Sequence, residues 1–312
     1  MRCASAVQLN AGDIVISADI GPTSGGEDYG LMRVDPATGD RTIISDATHG
    51  SGPQFDFSEA PTGGPPSGVS RMAGGQLLVS ATNGLFSVDP ATGDRTQITS
   101  RPAADAIQVG NQIYAVDGSE LFRVDPTTGN ATNLASLGGN AGALLYTDGL
   151  LFTSGPGSFE SYSLTGNFVG SYLSTTVVYS MAATSDGNIL FGTPSASIAG
   201  TAVGSFNPNV PDPFDYHSIS SGTGAPIGAV PGLGVAPSGI VWAANVLFTT
   251  RATGNVLDID PTTGNRSILS DATHGAGPTF VAPYGLTVVP EPGSFVLAAV
   301  GGFVLLALRR RK

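Results

Sequence analysis

Short apolar runs separated by turn-forming residues recur along almost the whole chain. Ile14-Val15-Ile16, Leu77-Leu78-Val79 and Leu150-Leu151-Phe152 are such runs, each long enough to seed a strand that buries apolar surface. Helical spacing at i, i+3 and i+4 is hard to find before the C-terminal tail. The pattern predicts an all-β body.

Four segments carry nearly one phrase: LMRVDPATGD at 31–40, LFSVDPATGD at 85–94, LFRVDPTTGN at 121–130 and VLDIDPTTGN at 256–265. Each predicts a strand, a tight turn and a return strand. Asp before Pro caps the turn, Pro presets φ at its first position, and Gly supplies the positive φ that follows. Alternation puts Leu85 and Ser87 on one face and Phe86 and Val88 on the other. Weaker copies at 162–167 and 206–208 bring the hairpins to six. A second strand pair announced by Gly precedes the hairpins, as at 68–80 and 109–116. Four-stranded units at this spacing predict a six-bladed β-propeller over residues 7–289. The segment PYGLTVV at 283–289 mimics the strand entry at 66–69 but has no unit after it, so Gly285 to Val289 is expected to pair with Asp13 to Ala18 and close the ring.

The tail has a different texture. Residues 293–308 contain no charge, and Arg309, Arg310, Arg311 and Lys312 follow at once. At ~1.5 Å per residue such a helix reaches about 24 Å, short of the ~30 Å hydrocarbon core, so it spans with thinning or snorkelling. The cations mark the cytoplasmic end and place the body across the membrane. Just before the apolar run stand Pro290, Glu291 and Pro292, whose prolines give the helix an abrupt start. Pro-Glu-Pro, a short apolar helix and a terminal Arg cluster resemble the PEP-CTERM sorting signal of exported bacterial proteins. The resemblance covers 290–312 and implies recognition of Pro290, Glu291 and Pro292 by an integral-membrane exosortase, in bacteria that make exopolysaccharide. The body resembles NHL-like and related six-bladed propellers, an architecture that implies no single activity.

Composition narrows the choices. Gly (44) and Pro (22) together make about a fifth of the 312 residues, nearly twice the usual share of ~12%, as many turns require. Net charge is −11, and without the four terminal cations nine basic residues face 24 acidic ones, which argues against a nucleic-acid partner. The single cysteine, Cys3, can build neither a disulfide framework nor a Cys-based metal site. Ala4-Ser5-Ala6 has the small-x-small pattern of a signal-peptidase site, so residues 1–6 are expected to be the remnant of a signal peptide whose start lies upstream.

Candidate chemistry is sparse. SDATHGSGP at 45–53 is repeated as SDATHGAGP at 270–278, which offers Asp46, His49, Asp271 and His274 as a metal or acid-base pair of pairs, since His with carboxylate suits divalent transition metals. The competing reading is that Asp caps a turn and the loop was copied with its blade. Asp35, Asp89, Asp125 and Asp260 could suggest calcium, but the other oxygen ligands of a six- to eight-coordinate site are missing, and turn capping accounts for them. With only His49, His217 and His274, and no Gly-x-Ser-x-Gly elbow, a nucleophile-base pair is not indicated. Glu27, Glu59, Glu120 and Glu160 stand in no motif matching the lactonase-type propellers. Tyr216, Trp242 and Tyr284 are candidates by type for stacking on sugars, with Trp242 read as core. The sequence therefore points to a non-enzymatic exported propeller at the cell surface or in the matrix, without cofactor, whose partners are an exosortase and extracellular polysaccharide. The alternative is a metal-dependent, lactonase-like propeller hydrolase.

Overall fold

The computed structural model describes residues 7–21, 28–58, 68–155, 158–173, 178, 180–192, 203–209, 217–219, 222–225, 237–243, 245–250, 254–279 and 281–289. Every regular element among them is a strand. The chain begins with β1 (Ile14–Asp19), β2 (Tyr29–Val34) and β3 (Arg41–Ser45). Sheet 2 holds β4 (Val69–Arg71), β5 (Leu77–Ala81), β6 (Gly84–Val88) and β7 (Arg95–Thr99). Sheet 3 holds β8 (Asp105–Val109), β9 (Gln112–Val116), β10 (Gly118–Val124) and β11 (Ala131–Ala141). Sheet 4 holds β12 (Leu144–Thr147), β13 (Leu150–Gly155), β14 (Ser158–Tyr162) and β15 (Phe168–Leu173). Sheet 5 holds β16 (Ser180–Ala183), β17 (Ile189–Gly192), β18 (Val203–Phe206) and β19 (His217–Ser218). Sheet 6 holds β20 (Pro237–Ala243), β21 (Asn245–Thr250), β22 (Asn255–Ile259) and β23 (Arg266–Ser270). The last strand, β24 (Ala282–Val288), returns to the first three, so that sheet 1 runs β24-β1-β2-β3.

All six sheets are four-stranded antiparallel meanders, and together they make a β-propeller. The repeated phrase supplies the last hairpin of its sheet. Asp35, Asp89, Asp125 and Asp260 each accept a backbone N–H two residues on, at 2.8–2.9 Å, and so cap their turns as the sequence predicts. The turn glycine is needed for two reasons. Gly93 has φ of 75°, and a Cβ there would stand 2.2 Å from the carbonyl oxygen of Ile44, on the outer strand of the preceding sheet.

Strands are buried on both faces because each sheet is sandwiched between two others. In β1, Val15 packs with Leu77 and Phe86 of sheet 2, whereas Ile14 and Ile16 pack with Leu247 and Val256 of sheet 6. The alternation in β6 likewise sends Phe86 and Val88 toward sheet 1 and Leu85 toward sheet 3. Sheets 3 and 4, 4 and 5, and 5 and 6 share clusters of the same kind.

The closing strand pairs where the sequence places it. Ile14, Val15 and Ile16 face Val288, Thr287 and Leu286, and beyond the strand Val289 N–H donates to Asp13 O while Gly12 N–H donates to Val289 O, both at 2.8 Å. The expected signal-peptide remnant at 1–6 and the tail at 290–312, with its expected transmembrane helix, lie outside the described residues.

Candidate functional site

The innermost strands β24, β4, β8, β12, β16 and β20 surround a central cavity of about 250 Å³. Its described walls are small or aliphatic, with Ser70, Ser180 and Thr287 among them and Asp105 as the carboxylate. Asp105 opens β8, and its side chain ties two sheets together. Oδ2 accepts the Leu144 N–H of β12 at 2.9 Å, and Oδ1 accepts the Ala106 N–H at 2.8 Å. Desolvation by the surrounding protein pushes this carboxyl up to about 7, against the two backbone donors that favour its ionised form.

At the perimeter the repeated loops fold on themselves. Asp46 Oδ1 accepts from Thr48 N–H and His49 N–H, both at 2.6 Å, and lies 2.8 Å from His49 Nδ1. Asp271 Oδ1 does the same with Thr273 at 2.6 Å, His274 at 2.7 Å and the His274 ring at 2.9 Å. Burial raises the carboxyl at both sites, but hydrogen bonds from the histidine ring and the turn backbone outweigh it. Asp46 is held below its ordinary value and Asp271 falls to about 2. The structure joins each Asp to its own His, at separate sheet interfaces. Among the described residues no three His, Cys, Asp or Glu side chains gather as metal ligands.

What these loops do hold is arginine. Arg95, the first residue of β7, donates from Nη1 to Ser45 Oγ, Asp46 O and His49 O at 2.6, 2.7 and 3.0 Å, and from Nε to Pro53 O at 2.8 Å. Arg41, the first residue of β3, repeats the set on the second loop: Ser270 Oγ, Asp271 O and His274 O at 2.8, 2.5 and 2.8 Å, and Pro278 O at 2.6 Å. Arg266 at the start of β23 reaches Gly222 O and Ala225 O, both at 2.8 Å. The residue before each arginine adds a bond: Asp94 Oδ1 accepts Ser51 N–H, Asp40 Oδ1 accepts Ala276 N–H, and Asn265 Oδ1 accepts Thr223 N–H. Glycines allow the contact, since a Cβ on Gly50 would lie 2.0 Å from Gly93 O and one on Gly275 2.0 Å from Gly39 O. Asp46, His49, Asp271 and His274 thus shape sockets for guanidinium groups of the next sheet.

Sequence reasoning missed these arginines, although a signal was present: Arg follows the repeated turn directly at 41, 95 and 266. Tyr284, considered above for sugar stacking, is buried, with its ring 5.7 Å from that of Phe57. Trp242 lies on β20, and Tyr216 falls outside the described residues.

The remaining candidates, Pro290, Glu291, Pro292 and the cations Arg309 to Lys312, follow directly on Val289, where the described ring ends. Residues 288–312 match the PEP-CTERM protein-sorting motif. The PEP-CTERM motif implies an exported, envelope-associated protein sorted by an exosortase. It occupies the end of the chain alone, and the body has to be compared separately. No curated protein sequence matches the chain. The crystal structure of a nidogen/laminin complex contains a chain similar in fold, with a TM-score of 0.62 and 10% identity over 89% of this chain and 98% of that one. The extracellular domain of a one-component-system protein from B. thetaiotaomicron aligns over 64% of this chain and 27% of that one, with a TM-score of 0.47 and 14% identity. At such identities the nidogen/laminin likeness carries the fold of the body, and the PEP-CTERM motif carries its routing.

Proposed function

We propose that this chain is an exported, non-enzymatic six-bladed propeller of the NHL-like kind, routed by its PEP-CTERM tail and acting as a binding or structural component of the cell surface or extracellular matrix. The observation that carries the reading is the junction at Val289: a sorting motif begins where the closing strand ends, so the whole propeller is cargo of the tail. The hydrophobic run and terminal cations serve as a membrane anchor until an exosortase processes them at Pro290-Glu291-Pro292. Extracellular polysaccharide is the partner class that fits such a location. Support for a binding role over hydrolysis comes from the chemistry of the central cavity, where the described walls offer Asp105 but no converging set of carboxylate and imidazole groups.

The test is a tagged chain carrying an in-frame signal peptide, expressed in a host with an exosortase and followed by cell fractionation and intact-mass analysis. The wild-type chain is expected in the envelope or medium with a shortened C-terminus. Replacing Pro290, Glu291 and Pro292 together by Ala is expected to leave it full length in the membrane fraction. Unchanged tail removal in the triple variant overturns the sorting assignment.

A further inference from the structure

The pairing register places one residue of each innermost strand or its entry at a common level of the channel. The first apolar residue of each hairpin fixes this level. Leu85 pairs with Ser80, Leu121 with Val116, Phe159 with Ser154, and Val203 with Gly192. These positions lead inward to Gly68, Asp105, Ala143 and Ser180. In sheet 6 the same path runs from Val256 through Thr249 to Gly239, and in sheet 1 from Leu31 through Ser17 to Gly285. The ring is therefore Gly, Asp, Ala, Ser, Gly and Gly. Five small residues leave room, and the one large side chain is a carboxylate.

That carboxylate is built into the ring. A Cβ on Gly68 would sit 2.0 Å from Asp105 Oδ1, so any larger residue there would displace the Asp105 carboxylate. None of the described ion pairs includes Asp105. Two sheets further round the ring the Ser180 hydroxyl, on a residue 7% exposed, has no hydrogen-bond partner among the described residues. An unpaired carboxylate and an unpartnered hydroxyl are both costly when desolvated, and a bound donor relieves both kinds of cost. The walls running on from this level are aliphatic: Val69, Ile107, Leu145, Met181, Val241 and Leu286.

We propose that the channel is a binding site for a small primary alkylammonium ion, its charged head on Asp105 at the ring and its apolar tail along the aliphatic walls. The cavity volume suits a short chain, and a head with three N–H donors can serve the carboxylate's free lone pairs and a second acceptor at once. The raised pKa of Asp105 is the same unmet need seen from the proton's side, since a proton is the cation the site takes when no other is present. The inference does not rest on the sorting assignment, because the channel belongs to the folded body whatever its destination.

The experiment uses the full-length chain in mild detergent, titrated with n-butylammonium chloride and, separately, with uncharged n-butanol, with calorimetry and the unfolding temperature as readouts. At pH about 8 n-butylammonium is expected to bind at least about tenfold more tightly than n-butanol and to raise the unfolding temperature by mass action. Affinity is expected to fall about a hundredfold between pH 8 and pH 5 as Asp105, with its pKa of about 7, takes up its proton. Asp105→Asn is expected to abolish the preference for the cation. Should that variant not fold, Thr287→Phe, which narrows the channel without touching the carboxylate, is expected to abolish binding of both probes. Equal affinity for the two probes, absence of pH dependence, or full binding to Asp105→Asn or to Thr287→Phe would each overturn the proposal.

Discussion

A guanidinium that is 4% exposed and bonded to one hydroxyl and several carbonyls, as Arg95 is, leaves those acceptors bare when it is removed. Arg95→Ala is therefore expected to cost about 2–4 kcal/mol in a urea titration. Arg95→Lys keeps the charge but loses the planar fork, and is expected to recover only part of that. Two carboxylates give opposite pH responses. Asp105 is raised from 3.8 to about 7, so its contribution to stability is fully present below about pH 4 and is lost as pH rises toward 7. Asp271 is lowered from 3.8 to about 2, so its contribution is present above about pH 4 and is lost as pH falls toward 2. Denaturant midpoints measured against pH check both: Asp105→Asn is expected to flatten the slope between pH 4 and 7, and Asp271→Asn the slope between pH 4 and 2.

Among elements, the arginine sockets occupy three consecutive interfaces: Arg266 between sheets 5 and 6, Arg41 between sheets 6 and 1, and Arg95 between sheets 1 and 2. The corresponding first strand residues in sheets 3, 4 and 5 are Ala131, Phe168 and His217, and Phe168 is 58% exposed. The sheet completed by the two ends of the body is thus clasped on both sides, as is sheet 6 before it. Deleting residues 283–289 while keeping the tail removes the innermost strand of that sheet, and is expected to lower the unfolding temperature by well over the few degrees of an ordinary point change; an unchanged melting curve would contradict it. The hairpins and the closing strand were legible because Asp-Pro turns and alternating runs act locally, through φ preferences and the pleat. The sockets were not. Arg41 contacts residues more than two hundred positions away, and an arginine after a turn has the same sequence appearance whether it is solvated or buried. The channel ring was hidden for a related reason, since Gly68, Asp105 and Ser180 become equivalent only once the pairing register is known.

For the whole molecule, each sheet shares a core cluster with both neighbours, so the body has no natural place to divide. Phe86 is fully buried, its ring 5.4 Å from Phe55. Phe86→Ala is expected to cost about 3–5 kcal/mol and to shift one cooperative transition without splitting it, as scanning calorimetry would show. The position of the closing strand also decides how the molecule meets mechanical force. Tension on the chain beyond Val289 enters the ring through β24, at its centre, and the first bonds to feel it are those between Val289 and the Gly12–Asp13 backbone. Strain is then shared between β1 and the neighbouring sheets, with Arg41 and Arg95 acting as rivets on either flank. Any pull applied beyond the C-terminal end of the body is therefore met at the seam where its own first and last strands hold each other.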